Sequence, residues 1–309
     1  MHTEAEKVGF LFSGQGSQHP GMGQQLCELF PQGRSYYQQA SEQLGWDLWN
    51  LCQSGPEEHL SQTAYCQPAL FVEGFVAAQA LVHQCGIQPV AVLGLSLGEL
   101  TALAVAGVIP FEDGLALVAR RGALMQAACQ LQPGAMLSLL GGTLEAAQAL
   151  CQAHEVEVAN LNCPGQIVLS GAVAGIEAVQ ARAIEEGFKK AVRLNVAGAY
   201  HSRLMEPAQA EFAACVAQVE FKKPVLPVWS NRNALFLEDP QQIKKALVEQ
   251  LVSPVQFEAC VRLAVDFGVT HFYECGPGRV LAGLVKRIVP EVPAYSYQDV
   301  LSRTAAGAL

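Results

Sequence analysis

The sequence predicts a protein of the α/β class, with a hydrolase-like core built on a parallel sheet and a smaller subdomain inserted into it. Short apolar runs predict buried strands, as at Val8 to Phe12 and Pro89 to Gly94, and each run ends at a glycine-rich turn. Long stretches with helical spacing of apolar residues, such as Ala64 to Cys85, separate these strands. Alternating strands and helices of this kind are typical of a parallel sheet.

The inserted subdomain is predicted from a change of pattern near residue 131. We expect its strands at 135–140, 156–160, 166–170 and 189–196, and its helices at 144–154 and 173–186. The order βαββαβ over about 65 residues is typical of a ferredoxin-like subdomain. After Gly198 the pattern returns to helix, strand, helix, strand. We therefore assign residues 1–130 and 200–309 to the α/β core and residues 131–199 to the ferredoxin-like subdomain.

Composition favours a folded protein with a large core. Of the 309 residues, 51% are apolar and 15% are charged, which argues against disorder. The longest apolar runs fall short of the roughly 20 residues that span a membrane. The segment Met1 to Lys7 is polar and acidic and lacks the pattern of a secretory signal. We expect a cytoplasmic protein, or one of an organelle matrix, that is not secreted.

Metal and nucleic acid are disfavoured by cysteine and histidine spacing and by charge. The ten cysteines include no CxxC pair, and the seven histidines include no HxxxH or HExxH. We interpret the cysteines as small buried apolar residues of a reducing compartment and predict no metal site. The net charge of −9 disfavours nucleic acid as a partner. An acidic protein partner would need a local basic patch.

The segment Gly94 to Gly98 fits the pattern GxSxG between a predicted buried strand and a predicted helix. That context is typical of a nucleophile elbow, in which flanking glycines allow a cramped turn that exposes the serine, here Ser96. Free N–H groups at the start of the helix can stabilise an oxyanion formed by attack on a carbonyl. The pattern does not distinguish a transferase from an esterase.

A serine nucleophile needs a base. His201 follows the strand that leaves the inserted subdomain, so we expect it at the junction where a cleft forms. The other histidines lack a comparable context.

Six motifs in order make the chain resemble the malonyl-CoA:acyl carrier protein transacylases of fatty acid synthesis, with the acyltransferase domains of polyketide synthases as close relatives. The resemblance covers nearly the whole chain. The motifs lie at Phe12 to Gly23, Gly94 to Glu99 with Arg121-Gly122 downstream, Asn162 to Gln166, Gly198 to Ser202 with Met205, Gln250 to Val255, and Glu274 to Gly278.

The resemblance implies roles for particular residues. Ser96 would be the nucleophile and His201 the general base and acid. An oxygen of Gln250 would orient His201, where a hydrolase triad has an aspartate. The backbone N–H groups of Gln15 and Leu97 would form the oxyanion hole, and the Arg121 guanidinium would hold the free carboxylate of malonyl.

Two positions bear on substrate choice and on the family pattern. Leu95 stands where the family usually has histidine, but the elbow depends on the glycines rather than on this side chain. Tyr200 stands where malonyl-selective members commonly have phenylalanine. A bulky ring there would leave little room for an α-methyl branch, which favours malonyl over methylmalonyl. We expect Asn162 and Gln166 to stabilise a turn rather than touch the substrate.

The implied reaction is a ping-pong transfer of malonyl from malonyl-CoA to the phosphopantetheine thiol of an acyl carrier protein, with no permanently bound cofactor. Two alternatives remain: a hydrolase that acts on acyl carrier thioesters, and a non-catalytic carrier-binding subunit. Service of fatty acid or polyketide synthesis stays open. For the acidic carrier we expect docking at Lys189, Lys190 and Arg193, or at Lys286 and Arg287.

Overall fold

The structure, a computed structural model, describes residues 6–305. Within that range the strands are β1 (Val8–Phe12), β2 (Pro89–Gly94), β3 (Gly134–Leu140), β4 (Glu157–Cys163), β5 (Gln166–Ala172), β6 (Lys190–Arg193), β7 (His271–Cys275) and β8 (Ala294–Ser296). The helices are α1 (Gln24–Leu29), α2 (Gly33–Leu44), α3 (Leu48–Ser54), α4 (Glu57–Leu60), α5 (Thr63–His83), α6 (Leu97–Val105), α7 (Phe111–Leu131), α8 (Leu144–His154), α9 (Val173–Arg182), α10 (Glu206–Gln218), α11 (Pro240–Glu249), α12 (Phe257–Asp266), α13 (Val280–Ile288) and α14 (Tyr297–Ala305). Short 3-10 helices lie at Arg203–Met205 and Gln250–Val252.

The first sheet is parallel throughout, with strand order β2-β1-β7-β8. All five residues of β1 are buried, as expected for a parallel strand covered on both faces. Phe12 pairs with Gly94 on one side and with Cys275 on the other, so the carboxyl ends of three strands meet at one edge. The predicted α/β class with a parallel sheet is confirmed. Ligands of such sheets bind beyond this edge.

The second sheet is antiparallel, with strand order β4-β5-β3-β6. Its elements follow one another along the chain as strand, helix, strand, strand, helix, strand. Alternate strand residues face α8 and α9 and form a separate small core that includes Leu137, Leu150, Leu169, Ile176 and Phe188. This sheet therefore has its own apolar support.

Helix α5 passes through the main core. It is long and apolar enough to cross a membrane by length and composition, but 78% of its most apolar stretch is buried inside the protein. Its Glu73 is fully buried and accepts hydrogen bonds from the hydroxyl groups of Tyr37 and Tyr297, each at 2.5 Å. Burial raises the pKa of Glu73. These features are those of a core helix with one satisfied polar site.

The strand expected after α10 is reduced to an isolated bridge between Val92 and Val228. Two prolines, Pro224 and Pro227, lie in this segment and lack the N–H groups that a ladder needs. The carbonyl of Pro227 accepts one hydrogen bond from Val92, at 3.0 Å. The segment then turns towards the carboxyl end of β2, where the Asn231 side chain donates a hydrogen bond to the Gly94 carbonyl.

Candidate active site

Ser96 lies in the tight turn between β2 and α6, at φ 54 and ψ −103. This positive φ is strained for a residue with a side chain. A Cβ on Gly94 would lie 1.9 Å from the carbonyl carbon of Gly98, and one on Gly98 would lie 2.1 Å from the carbonyl oxygen of Phe12. Only glycine fits at either position. The two glycines of GxSxG therefore permit the close packing of strand and helix that presents Ser96.

His201 contacts Ser96 although the two residues are 105 positions apart in the sequence. Its Nε2 lies 2.7 Å from the Ser96 hydroxyl oxygen, and its Nδ1 lies 2.9 Å from the main-chain carbonyl oxygen of Gln250. A carbonyl can only accept, so Nδ1 carries the proton and Nε2 is left to accept from the serine. Burial, together with the Arg121 charge, lowers the pKa of His201 to about 4. The imidazole is therefore neutral near pH 7 and has the tautomer of a base.

Gln250 contributes two different groups. The sequence predicted that one of its oxygens orients His201, and the oxygen in contact is the main-chain carbonyl. The side-chain Oε1 accepts from Arg121 at 2.9 Å. Its Nε2 donates to Glu99 at 2.6 Å and to the Ser96 carbonyl at 3.2 Å. The amide therefore belongs to the surroundings of Arg121 and Ser96 and does not touch the histidine.

Arg121 is a buried cation on α7, 1% exposed. Its guanidinium donates to Gln67 Oε1 at 2.9 Å, to Gln250 Oε1 at 2.9 Å and to the Ser96 hydroxyl at 3.0 Å. Burial lowers its pKa to about 10, which leaves the side chain charged near pH 7. Two neutral amides thus hold a positive charge against the serine.

Glu99 and Asn231 surround the elbow, and neither was predicted as a site residue. The Asn231 side chain accepts from the Ser96 N–H at 2.6 Å and donates to the Gly94 carbonyl at 2.8 Å. The Asn231 N–H in turn donates to Glu99 at 3.0 Å. A charged residue in an otherwise apolar helix was an available signal for Glu99. Asn231 follows an irregular segment and carries no comparable signal.

The predicted oxyanion-hole residues, Gln15 and Leu97, line the same cavity as Ser96. Gln15 is in the turn after β1, and Leu97 is the first residue of α6. A Cβ on Gly14 would lie 2.7 Å from the Leu95 carbonyl oxygen, so the turn approaches the elbow closely. Within residues 6–305, neither the main-chain N–H of Gln15 nor that of Leu97 donates a hydrogen bond. Both donors remain available to a ligand oxygen.

The hydroxyl of Tyr200 is fixed by two neighbours. It lies 2.5 Å from the hydroxyl of Thr63 and accepts from the Gln15 side chain at 3.3 Å. The ring lines the same cavity as Ser96. The bonds to its hydroxyl restrict rotation of the ring, so its bulk at the cavity wall is constant.

A cavity of about 150 Å³ joins these groups at the junction of the two sheets. Ser96, His201 and Arg121 line one side of it. The second sheet contributes lining residues that include Met136 and Asn160. The predicted site residues thus line one cleft, where His201 was expected, except Gln250, which is fully buried and reaches the cleft through its contacts with Arg121 and His201.

The turn of the third motif is only partly as expected. Gln166 accepts a hydrogen bond from Arg287 at 2.9 Å, and Arg287 also donates to the Pro164 carbonyl at 3.1 Å, so both side chains support the turn. Asn162 instead lines the cavity, and its Oδ1 is buried without a partner among the described residues.

The residues of the two predicted docking clusters are exposed, and in both clusters the arginines have hydrogen-bond or ion-pair partners whereas the lysines form no ion pair among the described residues. Arg193 pairs with Glu177 at 3.1 Å. Lys189, Lys190 and Lys286 are exposed and form no ion pair within the part of the chain that the structure describes. The lysines are therefore the groups free to attract a partner.

The chain matches the family model of the acyl transferase domain over residues 9–308. It is 40% identical over 298 residues to the malonyl CoA-acyl carrier protein transacylase of Bacillus subtilis (strain 168), which covers 95% of this chain and 94% of the relative. The match extends over nearly the full length of both proteins.

Solved structures agree with the sequence match. The crystal structure of a malonyl-CoA:acyl carrier protein transacylase from Xanthomonas oryzae pv. oryzae superposes with a TM-score of 0.93 at 41% identity, covering 99% of this chain and 98% of that one. A malonyl-transacylase in complex with its type II PKS acyl-carrier protein has a TM-score of 0.92 at 36% identity, covering 98% and 100%. The chain therefore belongs to the acyl transferase family, as the resemblance of its six motifs predicted.

Proposed function

We propose that this chain transfers the malonyl group from malonyl-CoA to the phosphopantetheine thiol of an acyl carrier protein. The observation that carries the proposal is the buried guanidinium of Arg121, 3.0 Å from the hydroxyl oxygen of Ser96, which itself lies 2.7 Å from His201. A nucleophile and base beside a fixed cation suit an acyl group that ends in a carboxylate. The names of the relatives, and the carrier protein bound in one of the solved structures, support the same reaction.

In the first half of the reaction, neutral His201 removes the proton of Ser96 as the serine oxygen attacks the malonyl thioester carbonyl. The amides of Gln15 and Leu97 donate to the oxygen that becomes negative. The C–S bond then breaks, and the proton held by His201 passes to the departing thiolate. Coenzyme A leaves as a thiol, and malonyl remains as an ester on Ser96.

In the second half, the carrier's phosphopantetheine thiol gives its proton to His201 and its sulfur attacks the ester carbonyl. The Ser96–acyl bond breaks, and the serine oxygen recovers the proton from His201. A thioester is exchanged for a thioester, so the chemistry is near balance. The main demand on the site is to keep water from the ester, which a narrow cleft between two sheets favours.

Selectivity is assigned to two residues. Arg121 can offer two parallel hydrogen bonds to the free carboxylate, once its contacts with Ser96 and Gln67 are exchanged for it while Gln250 stays bound. The ring of Tyr200, held through its hydroxyl, limits the space beside the malonyl methylene and disfavours an α-methyl branch. Together these features favour malonyl over both acetyl and methylmalonyl.

We also propose the domain division that the sequence suggested: a hydrolase-like core of residues 1–130 and 200–309 and a ferredoxin-like subdomain of residues 131–199. The strand–elbow–helix passage at Ser96 supports the first name. The βαββαβ order with sheet order β4-β5-β3-β6 supports the second. Residues 1–5 and 306–309 lie outside the described residues.

Replacing Arg121 tests the malonyl assignment most directly. A hydrogen bond to a charged group contributes about 1.5–3 kcal/mol, and about 1.4 kcal/mol is tenfold. We expect Arg121→Ala to lower malonyl transfer to the holo carrier roughly 10- to 100-fold, and acetyl transfer by less. Arg121→Lys should restore only part of the malonyl rate, because an ammonium lacks the planar fork. The measurement is the ratio of malonyl to acetyl transfer in each variant. An equal fall for both substrates would make Arg121 structural and would contradict the malonyl assignment.

Removal of the base should lower the rate and leave a clear pH signature. We expect His201→Ala to reduce transfer by about 10²–10⁴-fold. Because the pKa of His201 is lowered to about 4, its base form persists well below neutral pH and is lost only as the pH falls through about 4. The pH dependence of wild-type kcat/KM should therefore include a loss near pH 4 that is missing from the residual activity of the variant. Near-normal transfer by His201→Ala would remove the histidine from the mechanism.

Charge reversal tests where the acidic carrier docks. We expect the double substitution Lys189→Glu and Lys190→Glu, or the single substitution Lys286→Glu, to raise the KM for the carrier about three- to tenfold. Neither change should alter the rate at which malonyl-CoA loads Ser96. These lysines form no ion pair within residues 6–305, so reversal breaks none of the described salt bridges. Lys222→Glu, an exposed lysine outside both clusters, is the matched control. Unchanged carrier kinetics after reversal of both clusters would reject both surfaces.

A further inference from the structure

Glu99 is a fully buried carboxylate close to the reacting serine that plays no part in the reaction as described. It lies on α6, three residues after Ser96, and is 1% exposed. Its Oε2 accepts from Gln250 Nε2 at 2.6 Å and from the Asn231 N–H at 3.0 Å, while its Oε1 has no partner among the described residues. Burying a charge with an unpaired oxygen opposes folding. A buried carboxylate that is unfavourable for folding and lies next to the nucleophile suggests a role in the reaction.

The contacts of Glu99 fix the direction of one amide. A carboxylate can only accept hydrogen bonds, and a guanidinium can only donate them. Gln250 lies between the two, with Nε2 on Glu99 at 2.6 Å and Oε1 on Arg121 at 2.9 Å. If this amide turned over, oxygen would face carboxylate and NH₂ would face guanidinium. Glu99 and Arg121 together therefore leave Gln250 one acceptable orientation, and the charge on Glu99 fixes its Nε2 side.

The consequences of this orientation reach Ser96 from several sides. The Arg121 nitrogen that donates to Gln250 also donates to the Ser96 hydroxyl, at 3.0 Å. Gln250 Nε2 also donates to the Ser96 carbonyl, at 3.2 Å. Asn231, whose N–H is held by Glu99, accepts from the Ser96 N–H at 2.6 Å. Glu99 thus contacts the neighbours of the nucleophile without touching it.

We propose that Glu99 is a positioning residue whose negative charge keeps the Gln250 amide in one orientation and so holds Arg121 in register with Ser96 and the incoming carboxylate. The proposal deepens the proposed function and rests on it, since Arg121 acts there as the carboxylate-binding group. It assigns no contact between Glu99 and substrate.

Because Glu99 can be protonated, the proposed role should make the rate of Ser96 acylation depend on pH. Burial raises the pKa of Glu99 to about 7, against the opposing effect of its hydrogen bonds and of Arg121. Of the titratable groups on the elements packed around α6, Arg121 on α7 acts on the pKa of Glu99 and Cys260 on α12 is affected by Glu99; no titratable group of α5 is among the causes of the shift, and β1 and β2 carry none. Burial raises the pKa of the Cys260 thiol, which stays neutral, and Arg121 stays charged. A protonated Glu99 can donate as well as accept, so below about pH 7 it no longer requires Nε2 to face it, and the Gln250 amide is held by Arg121 and the Ser96 carbonyl alone.

The test compares Glu99→Gln with wild type in the first half-reaction. The substrate is the malonyl thioester of N-acetylcysteamine, which has no phosphate to titrate, and first-turnover release of the thiol is followed. In wild type we expect the maximal rate to rise about five- to tenfold between about pH 6 and pH 8, the difference between a charged and a neutral hydrogen-bond partner. Glu99→Gln should lack this step and remain about five- to tenfold slower at pH 8.

Glu73→Gln is the matched control, because it neutralises another fully buried carboxylate whose partners are Tyr37 and Tyr297. It should keep the wild-type pH step and rate. A merely structural Glu99 would lower the folded fraction and leave the pH step in place.

Each outcome separates the two proposals. A wild type that never acylates Ser96 would reject the proposed function itself. A wild type that acylates, with Glu99→Gln within twofold of its rate and showing the same pH step, would overturn the role of Glu99 alone. If Glu99→Gln does not fold, Glu99→Asp keeps the charge and should keep the step at a lower rate. A profile without the step in wild type and in Glu99→Asp would also overturn the proposal.

Discussion

The hydrogen bond between the Ser96 hydroxyl and His201 Nε2 is the contact on which the site depends, and neighbouring groups fix both residues in position. The two residues are 105 positions apart, and both have positive φ, 54 and 59. Each strained residue is fixed by a partner: the Ser96 N–H by the side chain of Asn231, and the His201 ring by the main-chain carbonyl of Gln250. Strain of this kind persists only where neighbouring groups over-determine the conformation. The short contact therefore depends on the folded core rather than on chance side-chain orientation.

Around this contact the protein buries polar groups that a core built for stability alone would avoid. Arg121, Glu99 and Gln250 are all buried, and the two charges are joined only through the amide. Replacing buried ionic groups by apolar residues is often neutral or stabilising, so such groups are weak evidence for stability. Their cost is understandable if they fix donors and acceptors around Ser96 before substrate arrives.

Local patterns were sufficient to place Ser96 in a tight turn and His201 at the cleft, because the chemistry of the elbow is local, whereas the other site residues were named through the family resemblance. The glycines that flank Ser96 are required by contacts with close neighbours, and His201 was placed by its position after the inserted strand. The resemblance implied that an oxygen of Gln250 orients His201, but not which one: the oxygen in contact is the main-chain carbonyl, and a main-chain contact leaves no mark on residue type. Asn231 lies 135 positions from Ser96 and precedes no recognisable element, so only the fold brings it to the elbow. The strand expected after α10 was wrong because its prolines prevent regular pairing.

The central claim is that malonyl passes through an ester on Ser96, and intact-protein mass spectrometry with peptide mapping measures this most directly. Brief incubation with malonyl-CoA should add one malonyl group to Ser96. The adduct should persist after coenzyme A is removed and should move to the carrier thiol when holo carrier protein is added. Ser96→Ala should carry no adduct. Loss of the ester to water at the same rate with or without the carrier would indicate a hydrolase. An adduct that persists in Ser96→Ala, or malonyl-carrier formed without any adduct on the enzyme, would contradict the account.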